Sequence, residues 1–212
     1  MKGSFGGILL FVVMFGMNLN AGVIFSDDFD ATNGGAGQLN FAGFTNWTVS
    51  AGAVDLIGNG FHDIKPGNGL YVDLDGSTYI SGEIQTVAQF NLTPGNVYTL
   101  SFSLANNSFG PTGTDQNAVQ VLVGVGPFSE TINLNGFSDF SNITRQFSVA
   151  ALALAQLSFG TPGAGVGGDA YGVLLDNVVL SEDVVPEPSS FLLLLAGAPL
   201  LLSHVRRRLR LR

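Results

Sequence analysis

The residues able to do chemistry in this chain are mainly carboxylates. Asp27, Asp28 and Asp30 crowd the first strand region, and Asp176 sits in the last. Carboxylate oxygens are the ligands a hard cation such as calcium takes. These four are therefore the candidate metal set, provided the fold brings the first and last strands together. The alternative is a set of solvated acids with one aspartate fixing a turn. No EF-hand is written here, because the twelfth position counted from Asp28 is Leu39 rather than a bidentate glutamate. Asp73 and Asp75 form a weaker second pair, read as turn residues ahead of Gly76.

Little points to catalysis. His62 is the single histidine upstream of the C-terminal tail, and a Ser-His-Asp triad would have to use it. No G-x-S-x-G elbow accompanies it. With Asn59, Gly60 and Gly67 nearby, His62 reads as an exposed loop residue. No carboxylate pair is singled out for glycoside cleavage. Cysteine is absent, which excludes thiol catalysis and cysteine-ligated zinc. Gly163 to Gly168 matches G-x-G-x-x-G formally, but without the βαβ context that a dinucleotide fingerprint needs. The chain is read as a non-enzyme with no catalytic residues.

Sugar binding calls for exposed aromatic platforms. Trp47, Tyr71, Tyr79 and Tyr171 are the candidates for glycan contact. Trp47 is the lone tryptophan, and a core or edge-packing role is favoured for it. Four Asn-x-Ser/Thr sequons, at Asn46, Asn91, Asn106 and Asn142, are read as incidental to a composition rich in Asn and Thr.

These side chains must be positioned by β-structure. Val97 to Leu104 alternates at period two, with Tyr98, Leu100, Phe102 and Leu104 turned to a core. Thr93-Pro94-Gly95-Asn96 is a turn signal just before it. Further strands are expected at Phe44–Val49, Ala53–Ile57, Leu70–Leu74, Val119–Val125, Phe128–Leu134, Ile143–Val149, Leu154–Phe159 and Val173–Leu180. One helical turn is allowed for at Ala150 to Leu157. Many short strands with regular turn signals argue for an all-β sandwich. Gly-rich loops at Asn33 to Gly37 and Gly160 to Gly168 are expected at its ends, where ligands often bind.

The blocks Gly69-Leu70-Tyr71-Val72-Asp73-Leu74-Asp75-Gly76-Ser77, Gly82-Glu83-Ile84, Leu92 to Phe102 and Leu175-Asp176-Asn177-Val178 resemble the choice-of-anchor exported domains. The resemblance spans about Gly22 to Glu182. It implies a jelly-roll fold similar to galactose-binding-like and carbohydrate-binding modules, and hints at glycan contact. It also implies first and last strands side by side, where related modules hold a structural calcium.

The two ends of the chain have a different character. Lys2, an apolar run from Ile8 to Met17 and Leu19-Asn20-Ala21 read as a secretory signal peptide over residues 1–21. The domain then covers 22–184, followed by a tail over 185–212. That tail opens on VPEPSS (Val185 to Ser190), runs apolar from Phe191 to Leu202, and closes with Arg206, Arg207, Arg208, Arg210 and Arg212. Phe191 to Val205 is 15 residues, roughly 22 Å of helix at ~1.5 Å per residue, against ~30 Å of hydrocarbon. A short C-terminal hydrophobic helix of that length, interrupted by Pro199, suits a temporary membrane anchor, with the arginines on the cytoplasmic side.

Motif, apolar run and basic end resemble the PEP-CTERM sorting signal of Gram-negative, exopolysaccharide-producing bacteria. The resemblance implies exosortase as the processing partner, with Pro186, Glu187 and Pro188 as the recognition residues. It also implies a transient stay in the inner membrane, then release to the outer surface or outside the cell.

Charge bounds the partners. Gly22 to Pro188 holds all sixteen acids but only two basic residues, Lys65 and Arg145, for a net charge of −14. A nucleic-acid partner needs a basic face and is excluded. The reading from sequence is an exported structural or adhesive component of an exopolysaccharide matrix. The alternative is a carbohydrate-binding module with a defined ligand, and a glycan hydrolase comes last.

Overall fold

The computed structural model describes residues 22–107, 120–134, 139–162, 164–165 and 172–183. The signal peptide, Tyr171, the Pro186-Glu187-Pro188 motif, the Phe191–Leu202 run and the arginines of the tail lie outside the described residues. Among the described residues, no helix is long and apolar enough to cross a membrane.

In chain order the strands begin with β1 (Gly22–Asp27), β2 (Trp47–Ala51), β3 (Asp55–Gly58), β4 (Leu70–Asp73) and β5 (Asp75–Gly76). They continue with β6 (Ile80–Ser81), β7 (Glu83–Thr86), β8 (Phe90–Leu92), β9 (Val97–Asn106) and β10 (Gln120–Val125). The series ends with β11 (Phe128–Asn133), β12 (Ser141–Phe147), β13 (Ala153–Ala155), β14 (Leu157–Gly160) and β15 (Val173–Asp183). The helical turn allowed for at Ala150 to Leu157 is instead extended chain, because Ala153 to Ala155 pairs with β8.

Every strand pairing among the described residues is antiparallel. A six-stranded sheet runs β12-β9-β15-β4-β3, with β1 also on β15, and a five-stranded sheet runs β11-β10-β14-β7-β2. Packed face to face, they form the expected jelly-roll sandwich. The alternation in β9 works as read: Tyr98, Leu100, Phe102 and Leu104 are all fully buried between the sheets. Trp47 is central to this core. Its ring meets Phe25, Phe29 and Phe159 at centroid distances of 5.3 to 6.0 Å. Burying an aromatic of this size removes roughly 150–250 Å² from water, about 4–6 kcal/mol at ~25 cal/mol per Å².

One lateral opening of the sandwich is closed by a charged clasp. The Arg145 guanidinium on β12 donates two hydrogen bonds to Glu130 on β11, at 2.6 and 2.9 Å. This holds the Glu130 carboxyl below its ordinary range and raises the arginine. Beside the clasp Phe147 stacks on Tyr98 from one sheet and on Phe128 from the other.

β15 organises the six-stranded sheet. One of its edges pairs with β9 from end to end. Its other edge pairs with β4 at Leu174 and Leu175, and with β1 from Val178 to Glu182. A bulge between Asp176 and Val179 separates the two partners, with Asn177 in the left-handed region at φ 52°. Asparagine is among the few residues that tolerate that conformation.

Candidate functional site

The acids proposed for a metal gather at this bulge. Asp176 is 1% exposed. Burial raises its pKa to about 7, with further contributions from Asp30, Asp28 and Asp27 and an opposing one from the Asn177 N–H. First and last strands are indeed neighbours. Yet the carboxylates already serve protein donors. Asp27 accepts from the Phe29 N–H with one oxygen, and from Asn46 Nδ2 and Trp47 Nε1 with the other. Asp28 accepts from the Asp30 N–H, and Asp30 from the Leu70 N–H at 2.8 Å. Both oxygens of Asp176 accept from Asn177.

Among the described residues, no three His, Cys, Asp or Glu side chains are grouped to hold a metal ion. A cation would have to displace some of these bonds. Asp27 ties the end of β1 to the start of β2, Asp30 ties the turn that follows β1 to the start of β4, and Asp176 bonds within β15 alone. Gly69, at φ +73°, is required there because a Cβ would collide with the Asp30 carboxylate.

Asp73 and Asp75 are not exposed turn residues. Both are 2% exposed, and Asp55, across from Asp73 in the β3–β4 pairing, is 4% exposed. Asp73 accepts from the Asp75 and Gly172 N–H groups and from Asn107 Nδ2. Burial pushes its carboxyl well above the ordinary range, and Asp55 and Asp75 add to the shift. Asp55 accepts from Asn40 N–H, Ser77 N–H and Ser77 Oγ, and Asp75 from Thr161 Oγ1. These acids serve as buried acceptors for loop backbone and hydroxyl groups.

The aromatic candidates separate. Trp47 is 1% exposed and Tyr71 fully buried, so neither presents a ring face to a ligand. Tyr71 lies on the outer side of the six-stranded sheet with Ile57, Ala105 and Leu174, under Leu39, Ile64 and Phe140. Its hydroxyl accepts from the Ile64 and Lys65 N–H groups and donates to Asp63, pinning the loop that covers it. Burial pushes this phenol up to about 12. A cleft of about 350 Å³ opens beside the loop, lined by Ile64, Lys65, Pro66, Asn68, Asp139 and Phe140. His62 stands exposed in the same loop, as expected of it.

Tyr79 does face solvent, with 62% exposure. It sits on the β5–β6 hairpin, which leads directly into β7, and adopts a φ of 62°. Of Gly163 to Gly168, only Ala164 and Gly165 are described; they lie in turns after β14, not at a helix start.

The outer side of the five-stranded sheet is different in kind. Thr48 pairs with Gln85, Gln85 with Ser158, Ser158 with Gly124, and Gly124 with Ser129. These five register partners form one line across all five strands, and none is buried. Their neighbours in sequence, Trp47, Ile84, Val123, Leu157 and Phe159, point into the core. In the next line Glu83 pairs with Gly160, and its carboxylate accepts from Ser50 Oγ at 2.7 Å. The glycines keep the middle of the surface low, and hydroxyl and amide groups flank them. Such a face can hydrogen-bond a flat polar chain laid across the strands. No motif in the sequence marks it, since its members come from five separate strands.

No family model matches the chain, and no curated protein matches it either. Among solved structures, it is similar to Fisc, a stig cyclase of Fischerella sp. TAU in complex with (3Z)-3-(1-methyl-2-pyrrolidinylidene)-3H-indole. That match has 15% identity and a TM-score of 0.52, over 79% of this chain and 100% of that one. It is also similar to the CBM22-1 xylan-binding domain of Paenibacillus barcinonensis Xyn10C, with 12% identity and a TM-score of 0.44, over 78% and 97% of the two chains. A third match is the Clostridium thermocellum xylanase 10B CBM22-1–GH10 structure, complexed with xylohexaose. There identity is 13% and the TM-score 0.48, over 78% of this chain and 29% of that one. Identities this low speak to fold alone.

Proposed function

We propose that this is an exported, non-catalytic domain that binds polysaccharide along the outer side of its five-stranded sheet. The observation carrying the reading is the unburied line Thr48–Gln85–Ser158–Gly124–Ser129. Its side chains offer donors and acceptors, and none of them is needed in the core. A binding rather than hydrolytic role is supported by the buried acids, which accept from backbone and neighbouring side chains, and by His62 standing alone on an exposed loop.

Affinity electrophoresis on gels containing polysaccharides tests the reading. The wild-type domain should be retarded by at least one polymer. Ser158→Leu, which raises the middle of the line, should run unretarded with its melting temperature nearly unchanged. Wild-type mobility unaffected by every polymer of a broad neutral and acidic panel would defeat the proposal.

Retention in an exopolysaccharide matrix is the cellular role proposed for this binding. Delivery would follow exosortase processing at Pro186-Glu187-Pro188, with the tail as a transient membrane anchor. Intact-mass measurement of the exported protein checks this part. A product that still ends at Arg212 contradicts processing.

A further inference from the structure

We infer that the polymer held on the five-stranded sheet is uncharged. This rests on the glycan-binding reading above and adds the ligand class. Recognition of carboxylates or sulfates relies on arginine and lysine, which supply charge-assisted and often bidentate hydrogen bonds. Between Gly22 and Pro188 there are two such residues against sixteen acids. Arg145 is committed to Glu130 through two nitrogens. Lys65 is 7% exposed, with Asp139 at 3.9 Å, and lies on the loop that covers the other sheet. Neither belongs to the line of five. An anionic chain approaching a domain of net charge −14 would meet repulsion with no cation at the site to offset it.

The groups at the site suit neutral hydroxyls. Thr48, Ser158 and Ser129 can each donate and accept, and Gln85 offers both an amide N–H₂ and a carbonyl. Glu83 adds a carboxylate acceptor to which sugar hydroxyls can donate, as Ser50 does now. Five strands spaced ~4.8 Å apart give a line about 19 Å long. A monosaccharide cannot touch all of it, so affinity should rise with chain length before levelling off.

The test uses matched polymers at pH 8 without divalent cations: hydroxyethylcellulose against carboxymethylcellulose, and methyl-esterified against de-esterified polygalacturonate. The neutral member of a pair should bind roughly tenfold tighter or more at low salt. Its affinity should change less than about twofold from about 50 to about 500 mM salt. Preference for the anionic member would overturn the inference while leaving glycan binding in place. Binding of none of these polymers, with none bound in the broader gel panel, would defeat the underlying reading as well.

Discussion

The two outer faces of the sandwich are built to opposite ends. On the six-stranded sheet the outer side is roofed: Tyr71 is fully buried there, with Asp73 and Asp176 at 2% and 1% exposure. Its polar groups bind loops down, including the 59–69 loop through Tyr71 and Asp63 and the β5–β6 hairpin through Asp55. On the five-stranded sheet the outer side carries a line of small polar residues that support nothing else. The contrast teaches where a ligand can be recognised. A face whose side chains already hold the fold cannot adapt to a partner, whereas a face free of that duty can.

Substitutions at matched positions should break the symmetry of the two faces. The largest effect is expected at Tyr71, where Tyr71→Ala removes a buried ring and the acceptor of two backbone N–H groups. A loss of about 3–5 kcal/mol is expected, measured by urea denaturation. A loss below about 1 kcal/mol would show that the roof is ornamental.

Next comes the acidity of the roofed side. The folded pKa of Asp176, about 7, lies above the ordinary carboxylate value, so the folded state holds the proton more tightly than the unfolded chain. Stability contributed by this group is therefore full below about pH 4, and falls as pH rises towards 7, by on the order of 4 kcal/mol at most. Asp73 acts in the same direction. The melting temperature should rise from pH 8 to pH 5, and Asp176→Asn should flatten that slope; equal slopes would contradict the assignment. We propose that calcium can enter the Asp27, Asp28, Asp30 and Asp176 cluster in competition with this proton. Excess calcium should then raise the melting temperature more at pH 8 than at pH 5, relative to EDTA. An unchanged melting temperature in both would exclude it.

The smallest stability change is expected on the open face. Gln85→Ala and Thr48→Ala should each alter stability by less than about 0.5 kcal/mol. They should weaken polysaccharide binding by a few-fold each, read on the same gels. A larger stability loss would mean that this face, too, is structural.

Much of this fold is legible in the sequence. The alternation of Val97 to Leu104 names the buried side of β9 correctly, and Thr93 to Asn96 places the turn before it. The two-residue strands β5 and β6 are not legible, because two residues carry no periodicity. Tyr71 misleads because a strand tyrosine carries no mark of the loop that folds over it. Asp73 and Asp75 precede a glycine and so look like turn residues, yet their burial depends on Asn107, Thr161 and Gly172, far away in sequence. The open line escapes a reading of the chain altogether. Its five members span positions 48 to 158, and only strand register makes them neighbours.

Strand pairing at the far end of β15 has a consequence of its own. Gly22, where β1 starts, is the register partner of Glu182, one residue before β15 ends. The start of β1 and the end of β15 therefore meet at a single point, away from Gly172 and the buried acids at the other end of β15. A short linker could join the two and the chain be reopened elsewhere, for instance at the exposed Gly126-Pro127 turn between β10 and β11. The architecture is that of a cassette: circularly permuted, or inserted into a loop of an unrelated host, it should keep both faces intact.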